Sequence, residues 1–235
     1  MNTGRFIIRL SLSLMVGLFI VYAFGFRPAT TTVALITKIV QEVTKKTGAD
    51  EWKKASKGEP LIFGDQVQTG KKSLAVVTFI DKSIVRVREQ SILTVGGEAG
   101  SPGSLSKTVQ LTSGAFGFDI KKQLQNEMFR LTSPTSVASI RGTMGKMSGG
   151  QGNDTLTVTK GLVNFANNIS NKNIDVPEGF IAFSDQDGSL TSRKATDGEL
   201  ADANSLAQGG TSNELNLELK DPQGNKKDLK IKFKK

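Results

Sequence analysis

Between Phe129 and Phe165 the chain reads FRLTSPTSVASIRGTMGKMSGGQGNDTLTVTKGLVNF, short apolar segments separated by turn-forming residues. Phe129 and Leu131 belong to an alternating segment that meets Pro134. Val137, Ala138 and Ile140 make a second run, which ends on Arg141-Gly142-Thr143. A Gly-rich tip, Gly149 to Asp154, precedes a third segment with Leu156 and Val158. A Lys160-Gly161 turn then leads to Val163 and Phe165. Apolar residues at every second position mark strands with one buried face, and Gly, Asn and Asp supply the positive-φ positions of tight turns. The order predicted is strand, strand, hairpin tip, strand, turn, strand.

The same grammar runs through most of the chain. Val33–Thr47 fits a helical stripe and an alternating strand; Thr44, Thr47 and Gly48 favour the strand. Gly64-Asp65 and Thr69-Gly70 bracket Gln66–Gln68. In Leu74–Ile80 both faces are apolar, which predicts a central strand covered on both sides. Ile84–Arg88 returns with Val85 and Val87 inward and Arg86 and Arg88 outward. Ile92, Leu93 and Val95 form a further strand, Gly96–Ser106 a loop, and Val109 to Phe118 another strand. Lys121–Glu127 reads as a polar connection with at most one helical turn. Ile174 and Val176 precede a Pro177-Glu178-Gly179 turn before Phe180, Ile181 and Phe183. About ten short strands at turn spacings of about 8–12 residues predict an all-β fold, an antiparallel β-sandwich with a jelly-roll-like or rolled path.

The two ends differ from this body. Leu10–Phe26, LSLSLMVGLFIVYAFGF, carries no charge, and with Phe6–Ile8 it approaches the ~20 residues of a bilayer span. It reads as an uncleaved membrane anchor; Ala23-Phe24-Gly25 keeps open a cleaved signal peptide, for which the run is long. Arg5, Arg9 and the terminal amine before the run favour N-terminus in and body out. Asp185–Gly210 loses apolar periodicity, with a short helix legible at Glu199–Ala207. Leu215, Leu217 and Leu219, then Leu229, Ile231 and Phe233, alternate around Asp221–Asn225, which predicts a β-hairpin. An isolated hairpin is marginally stable and calls for a surface to dock on. The expected organisation is residues 1–29 anchor or signal peptide, 30–190 β domain, 191–210 linker and 211–235 basic hairpin.

The net charge of +9 is terminal: +3 lies in residues 1–30 and +5 in residues 220–235, which leaves +1 for the body. A nucleic-acid module would carry its basic face within the fold, with aromatics for stacking, so no nucleic-acid partner is expected. Lys226, Lys227, Lys230, Lys232, Lys234 and Lys235 offer either an attraction for anionic lipid, cell-wall polymer or an acidic partner, or a solvated, aggregation-resistant edge. The chain has no Cys and no His. That removes disulfides, thiolate zinc sites, and the commonest general base and metal ligand. Asp185-Gln186-Asp187-Gly188 is no EF-hand, because its twelfth position would be Lys194 where a bidentate Glu is needed. Ser104-x-x-Lys107 lies in a Gly/Pro loop instead of at a helix start, and Gly145-Lys146 lacks the rest of a phosphate loop. No cofactor and no metal is implied.

One succession of residues is more specific than its parts. Trp52, Ala55, Gly58, Leu61, Gly64-Asp65, Val67, Thr69-Gly70 and Ser73 lead into a strand, then Asp81-Lys82-Ser83, a return strand, Ser91 and Leu93. Phe129, Ser133-Pro134, Ala138 and Ile140-Arg141-Gly142-Thr143 come next, and Val158, Gly161, Val163 and Gly179 close it. Over roughly residues 36–190 this resembles the FecR domain, the extracytoplasmic β domain named after the iron-citrate signalling regulator. Lys82 stands where the family usually has Gly, which predicts a different turn type, since Lys resists positive φ. The resemblance marks Trp52, Gly64, Asp65, Thr69, Asp81, Ser83, Pro134, Arg141, Gly142, Thr143 and Gly161 as motif residues with structural roles. Arg141 is a fork of donors that either ties a turn's carbonyls or a carboxylate or, if exposed, binds an anionic ligand; the structural reading is favoured, with the expectation that Arg141→Ala lowers stability or export yield.

The resemblance implies a non-enzymatic envelope protein on the periplasmic side, anchored through residues 10–26 or exported, working as a protein-interaction, signalling or scaffold module. In the family's regulators a cytoplasmic N-terminal segment engages a sigma factor and the outer domain meets a transporter's signalling domain. About nine residues precede the apolar run here, too few for that segment. The alternative is a cell-wall or anionic-ligand binder using the C-terminal hairpin. A third class, a carboxylate-based hydrolase, has no constellation pointing to it.

Overall fold

The computed structural model describes residues 31–99, 105–124, 127–150, 152–209, 214–220 and 226–232. The apolar run 10–26, residues 100–104 of the Gly/Pro loop and residues 221–225 lie outside the described residues. Among those described, no helix is long and apolar enough to cross a membrane.

The all-β expectation holds. The strands are β1 (Thr32–Val40), β2 (Val43–Thr47), β3 (Lys53–Lys54), β4 (Pro60–Ile62), β5 (Asp65–Thr69), β6 (Leu74–Phe79), β7 (Ile84–Val87), β8 (Ile92–Ala99) and β9 (Leu105–Asp119). They continue as β10 (Phe129–Thr132), β11 (Ser136–Ile140), β12 (Met144–Gly149), β13 (Asn153–Lys160), β14 (Leu162–Asn167), β15 (Asn173–Pro177), β16 (Phe180–Asp185) and β17 (Leu190–Lys194). A helix, α1 (Asp197–Gln208), and the pair β18 (Glu214–Lys220) and β19 (Lys226–Lys232) come last.

Pairing sorts the first seventeen strands into two sheets. One runs β4-β1-β6-β7-β9-β12-β13-β16-β17. The other runs β3-β2-β5-β8-β9-β10-β11-β14-β15. Strand β9 belongs to both. Its first part, to Ser113, pairs with β8, and its second part, from Gly114, pairs with β12 and β7. Gly114 makes the crossing possible: its φ is +96°, and a Cβ there would stand 2.1 Å from Ser91 Oγ. Because the chain crosses within β9 and then returns, β10 lies parallel to β9; every other pairing is antiparallel. Beyond β9 the chain lays down antiparallel pairs alternately, β10–β11 in one sheet, β12–β13 in the other, then β14–β15 and β16–β17.

The inward residues form one apolar core that includes Ile36, Leu61, Val77, Phe116, Phe118, Phe129, Leu131, Ile140, Leu156 and Phe165. Phe79 of β6 meets Phe129 of β10 edge to face, ring centroids 5.1 Å apart, which joins the two sheets.

Several local expectations are corrected. Val33–Thr47 is two strands in different sheets, broken at Gln41 with φ +59°. Register shifts between Thr32 and Ala34 and between Ile36 and Lys38 disturb the alternation, which is why its period is ambiguous. Met144–Gly149, passed over as a strand, is β12. Its Gly145 faces inward because a Cβ there would meet Thr157 O at 2.2 Å and the Phe118 ring at 2.8 Å. The loop Gly96–Ser106 is shorter, since β8 runs to Ala99 and β9 starts at Leu105. Only one face of β6 is buried; Leu74, Val76 and Thr78 on the other are half-buried and Ile80 is 60% exposed.

Residues 191–210, read as a linker, contain most of β17 and all of α1. Thr196 and Glu199 cap the helix reciprocally, and Gly209 closes it in the left-handed conformation. Arg193 grips the Glu199 carboxylate with two hydrogen bonds of 2.8 and 2.9 Å, which with the Thr196 amide brings its pKa down to about 2. The helix lies on the outer surface of β9, β12 and β13. It comes close because Gly117 has no side chain: a Cβ there would stand 2.5 Å from the Leu206 carbonyl carbon. Asp202 anchors it, accepting from Lys146 at 2.6 Å and pairing with Arg88 at 3.0 Å. Strands β18 and β19 are antiparallel, with Leu215 opposite Ile231 and Leu217 opposite Leu229.

Candidate functional site

The turn between β6 and β7 carries Asp81-Lys82-Ser83. The Asp81 carboxylate accepts from Ser83 N at 2.9 Å and Ser83 Oγ at 3.0 Å, a self-closed turn of the kind Asp favours. It also accepts from Lys107 Nζ at 2.7 Å and Gln123 Nε2 at 3.0 Å. Lys107 has a side chain 1% exposed, with Glu127 at 3.7 Å as its second acid. Burial pushes the Asp81 pKa up, but its donors, Lys107 first, outweigh that and hold it below the usual carboxylate range. Lys82 has φ +67°, so it takes the conformation predicted to be closed to it, and the turn keeps the geometry a Gly would give. The hydrogen bonds around Asp81 hold the backbone there.

Ser83 Oγ accepts from Lys121 N at 3.1 Å, which ties this turn to the connection after β9. That connection runs on to the turn between β11 and β12. Ile120 N donates to Thr143 O at 2.9 Å, and a Cβ on Gly142, whose φ is +105°, would stand 3.0 Å from Lys122 Cα. A Cβ on Gly161 would lie 2.7 Å from Thr143 Cγ2. Asp81, Ser83, Arg141, Gly142, Thr143 and Gly161 are thus brought together at one end of the domain. Thr143 Oγ1 is buried there without a hydrogen-bond partner.

Arg141 departs from its expected role. It is exposed and, among the described residues, makes no hydrogen bond to a turn carbonyl and no ion pair with a carboxylate. It stands over a groove of about 490 Å³ lined by Met128, Ile140, Thr143, Leu162, Asn164 and Asp175 among others. Leu162 is 55% exposed at its rim.

The remaining motif residues lie elsewhere and serve local structure. Asp65 is fully buried; its carboxylate accepts from Thr47 Oγ1 at 2.6 Å and Ile62 N at 2.9 Å, and Lys45 lies 3.0 Å away. Gly64 supplies φ +91° before it. Thr69 is buried, and its hydroxyl accepts from Ser91 N at 3.1 Å and donates to Arg88 O. Trp52 is 36% exposed, with Lys46 Nζ 5.0 Å from its ring centroid. Pro134 is exposed on a turn whose Ser133, Thr135 and Ser136 hydroxyls all donate to the buried Asp154 carboxylate.

Lys107, Gln123 and Asp154 are structurally important residues that the motif did not mark. The alternation had a signal for two of them. Lys107 shares the phase of Val109 and Leu111, and Asp154 that of Leu156 and Val158, so both fall on buried faces. Among the described residues there is no group of three or more acids able to hold a metal ion.

Comparison with known proteins places part of this chain. Residues 65–164 match the family model described as "FecR protein". No curated protein matches the chain. Among solved structures it is similar to a "putative anti-sigma factor" from Parabacteroides distasonis ATCC 8503, in two crystal structures at 1.65 and 2.50 Å resolution. Identity is 12% in both, with TM-scores of 0.48 and 0.47 and coverage of 55% of this chain. The matched part is 59% of that protein's length, less than two thirds.

Proposed function

We propose, from the match of residues 65–164 to the FecR family model, a non-enzymatic regulatory module of the cell envelope that acts by contact with another protein. In this reading the body is a two-layered β-sandwich on the periplasmic side and residues 10–26 anchor it in the inner membrane. The contact surface is the groove under Arg141. The observation that carries the reading is the pairing of an exposed Arg141 with the exposed Leu162 across that groove. Arg141 supplies a bidentate site for a partner carboxylate and Leu162 an apolar contact beside it. The partner is therefore a protein with an acidic residue next to an apolar one on its surface.

The test places a photo-crosslinking residue at Leu162 in the full chain, in cells, before fractionation. The expected result is a crosslinked product with one envelope protein, lost in the Arg141→Glu variant while thermal unfolding stays unchanged. Recovery of the chain from the cytosol, or an identical product with Arg141→Glu, overturns the proposal. The rival reading, an anionic-polymer binder built on the C-terminal lysines, draws less support. In register, Glu214, Glu218 and Asp228 are interleaved with the lysines, so the polar positions of β18 and β19 are of mixed sign.

A further inference from the structure

Helix α1 covers only part of the outer surface of its sheet. At its start it lies over Thr157 and Ile181, on β13 and β16. At its end, Leu206 and Gly209 reach Leu74, Val76 and Arg86, on β6 and β7. Its 12 residues span about 18 Å, three to four strand spacings of about 4.8 Å, which matches that course across the sheet. The sheet continues past the helix with β6, β1 and β4. There Leu35 is 41% and Val40 36% exposed, and Leu74 and Val76 are half-buried, all on one face, where Leu74 stands opposite Val40, Val76 opposite the exposed Lys38 and Leu35 opposite Thr78. A cavity of about 340 Å³ lies between this face and the end of the helix.

The chain leaves α1 at the rim of that cavity, and β18 begins five residues after Gly209. Those five links reach about 18 Å at most. Beyond them lies a hairpin with Leu215, Leu217 and Leu219 alternating in one strand and Leu229 and Ile231 in the other. Leu217 stands opposite Leu229, and Leu215 opposite Ile231. Directly opposed residues share a face, so the register gathers the Leu and Ile positions on one side of the pair, with Lys227 opposite Leu219 at one end of that side. A lone two-stranded pair is marginally stable and needs such a side covered. A tether this short gives an effective concentration in the mM range, which any outside occupant must overcome.

We propose that residues 214–232 dock with their Leu and Ile positions on the outer surface of β1 and β6, beside the end of α1, completing the cover that the helix begins. The occupant is the chain's own hairpin, and this stands apart from any role of the Arg141 groove.

The chain has no cysteine, so introduced pairs report without background. In the full chain, Val76→Cys with Leu217→Cys, and Leu35→Cys with Leu229→Cys, are treated with a short bismaleimide. The expected result is an intramolecular crosslink in the monomer for at least one pair. Crosslinks only between molecules would overturn the proposal in favour of a second copy, and no crosslink in either pair would overturn it outright. Leu162→Cys with Leu217→Cys, on the other sheet, is the control and should give none; equal yield there also overturns it. A second measurement guards against a folding defect. Leu217→Asp with Leu229→Asp should make labelling of Val76→Cys by a bulky maleimide several-fold faster, and an unchanged rate counts against docking.

Discussion

Lys107 Nζ lies 2.7 Å from Asp81 Oδ2, with the lysine side chain 1% exposed. One partner comes from the turn between β6 and β7 and the other from the part of β9 paired in the opposite sheet, so the ion pair crosses between the two sheets. Asp81 therefore does more than close its own turn. It neutralises a charge that the alternation of β9 forces inward.

Removing the carboxylate leaves that buried charge only the more distant Glu127, 3.7 Å away. Asp81→Ala is expected to cost about 3–5 kcal/mol, the range for breaking a buried pair by deleting one partner. Lys107→Met, which fills the same space without charge, is expected to cost clearly less. The pH dependence comes from the direction of the Asp81 shift. With the folded pKa below the unfolded value of about 3.9, its stabilisation is fully present above that value and is lost as pH falls through the folded pKa. Thermal unfolding at pH 7 and pH 3 should show a smaller acid loss in Asp81→Asn than in wild type. An equal loss in both would mean that the pair does not set the acid limb.

Gly117 decides how close α1 comes. Arg86 and Lys146, its register partners on β7 and β12, both hold the helix, Arg86 through Ala207 O and Lys146 through Asp202. Gly117→Val puts side-chain atoms where helix backbone now lies and is expected to cost about 1–3 kcal/mol. Urea unfolding measures the cost. Hydrogen exchange supplies the location: the amides of α1 should exchange faster in the variant while those of β14 do not.

Arg141 reverses its reading as a structural tie. An exposed side chain with no hydrogen bond contributes little to folding, so Arg141→Ala should stay within about 0.5 kcal/mol of wild type. Differential scanning calorimetry of the pair checks this. A loss of about 2 kcal/mol or more, on the scale of a broken buried network, would restore the structural role and remove the groove as a contact surface.

The all-β class was legible because most strands bury one face, so that Phe129, Leu131, Leu156, Val158, Val163 and Phe165 keep a period of two. It failed where that reason fails. Four of the five residues of β17 are exposed, so nothing forces apolar residues into it. β12 places Gly145 inward, where Phe118 occupies the room a side chain would take. Of the motif, Asp65, Thr69, Asp81 and Ser83 make hydrogen bonds within turns and the core. Lys107 was hidden because its neighbours, Ser104 and Ser106, drew it into a loop, although its phase with Val109 and Leu111 places it inward. The solvent-facing course of Arg141 depends on the turn's three-dimensional path, which no spacing encodes.

Lys82 tests how far the turn between β6 and β7 tolerates a side chain. Its φ of +67° is the left-handed conformation, which costs an L-residue other than Gly roughly 1–2 kcal/mol. The four hydrogen bonds accepted by Asp81 hold the turn in spite of that cost. Lys82 is exposed at the tip, and among the described residues its side chain makes no hydrogen bond or ion pair. Lys82→Gly should therefore raise stability, by less than the full cost because Gly also loosens the unfolded chain; about 0.5–1 kcal/mol is expected. The gain should shrink or vanish in an Asp81→Asn background, where the turn is free to relax into another geometry. A double-mutant cycle read by urea unfolding measures both terms. If Lys82→Gly is destabilising in both backgrounds, the left-handed conformation at this tip carries no strain, and the hydrogen bonds of Asp81 serve Lys107 alone.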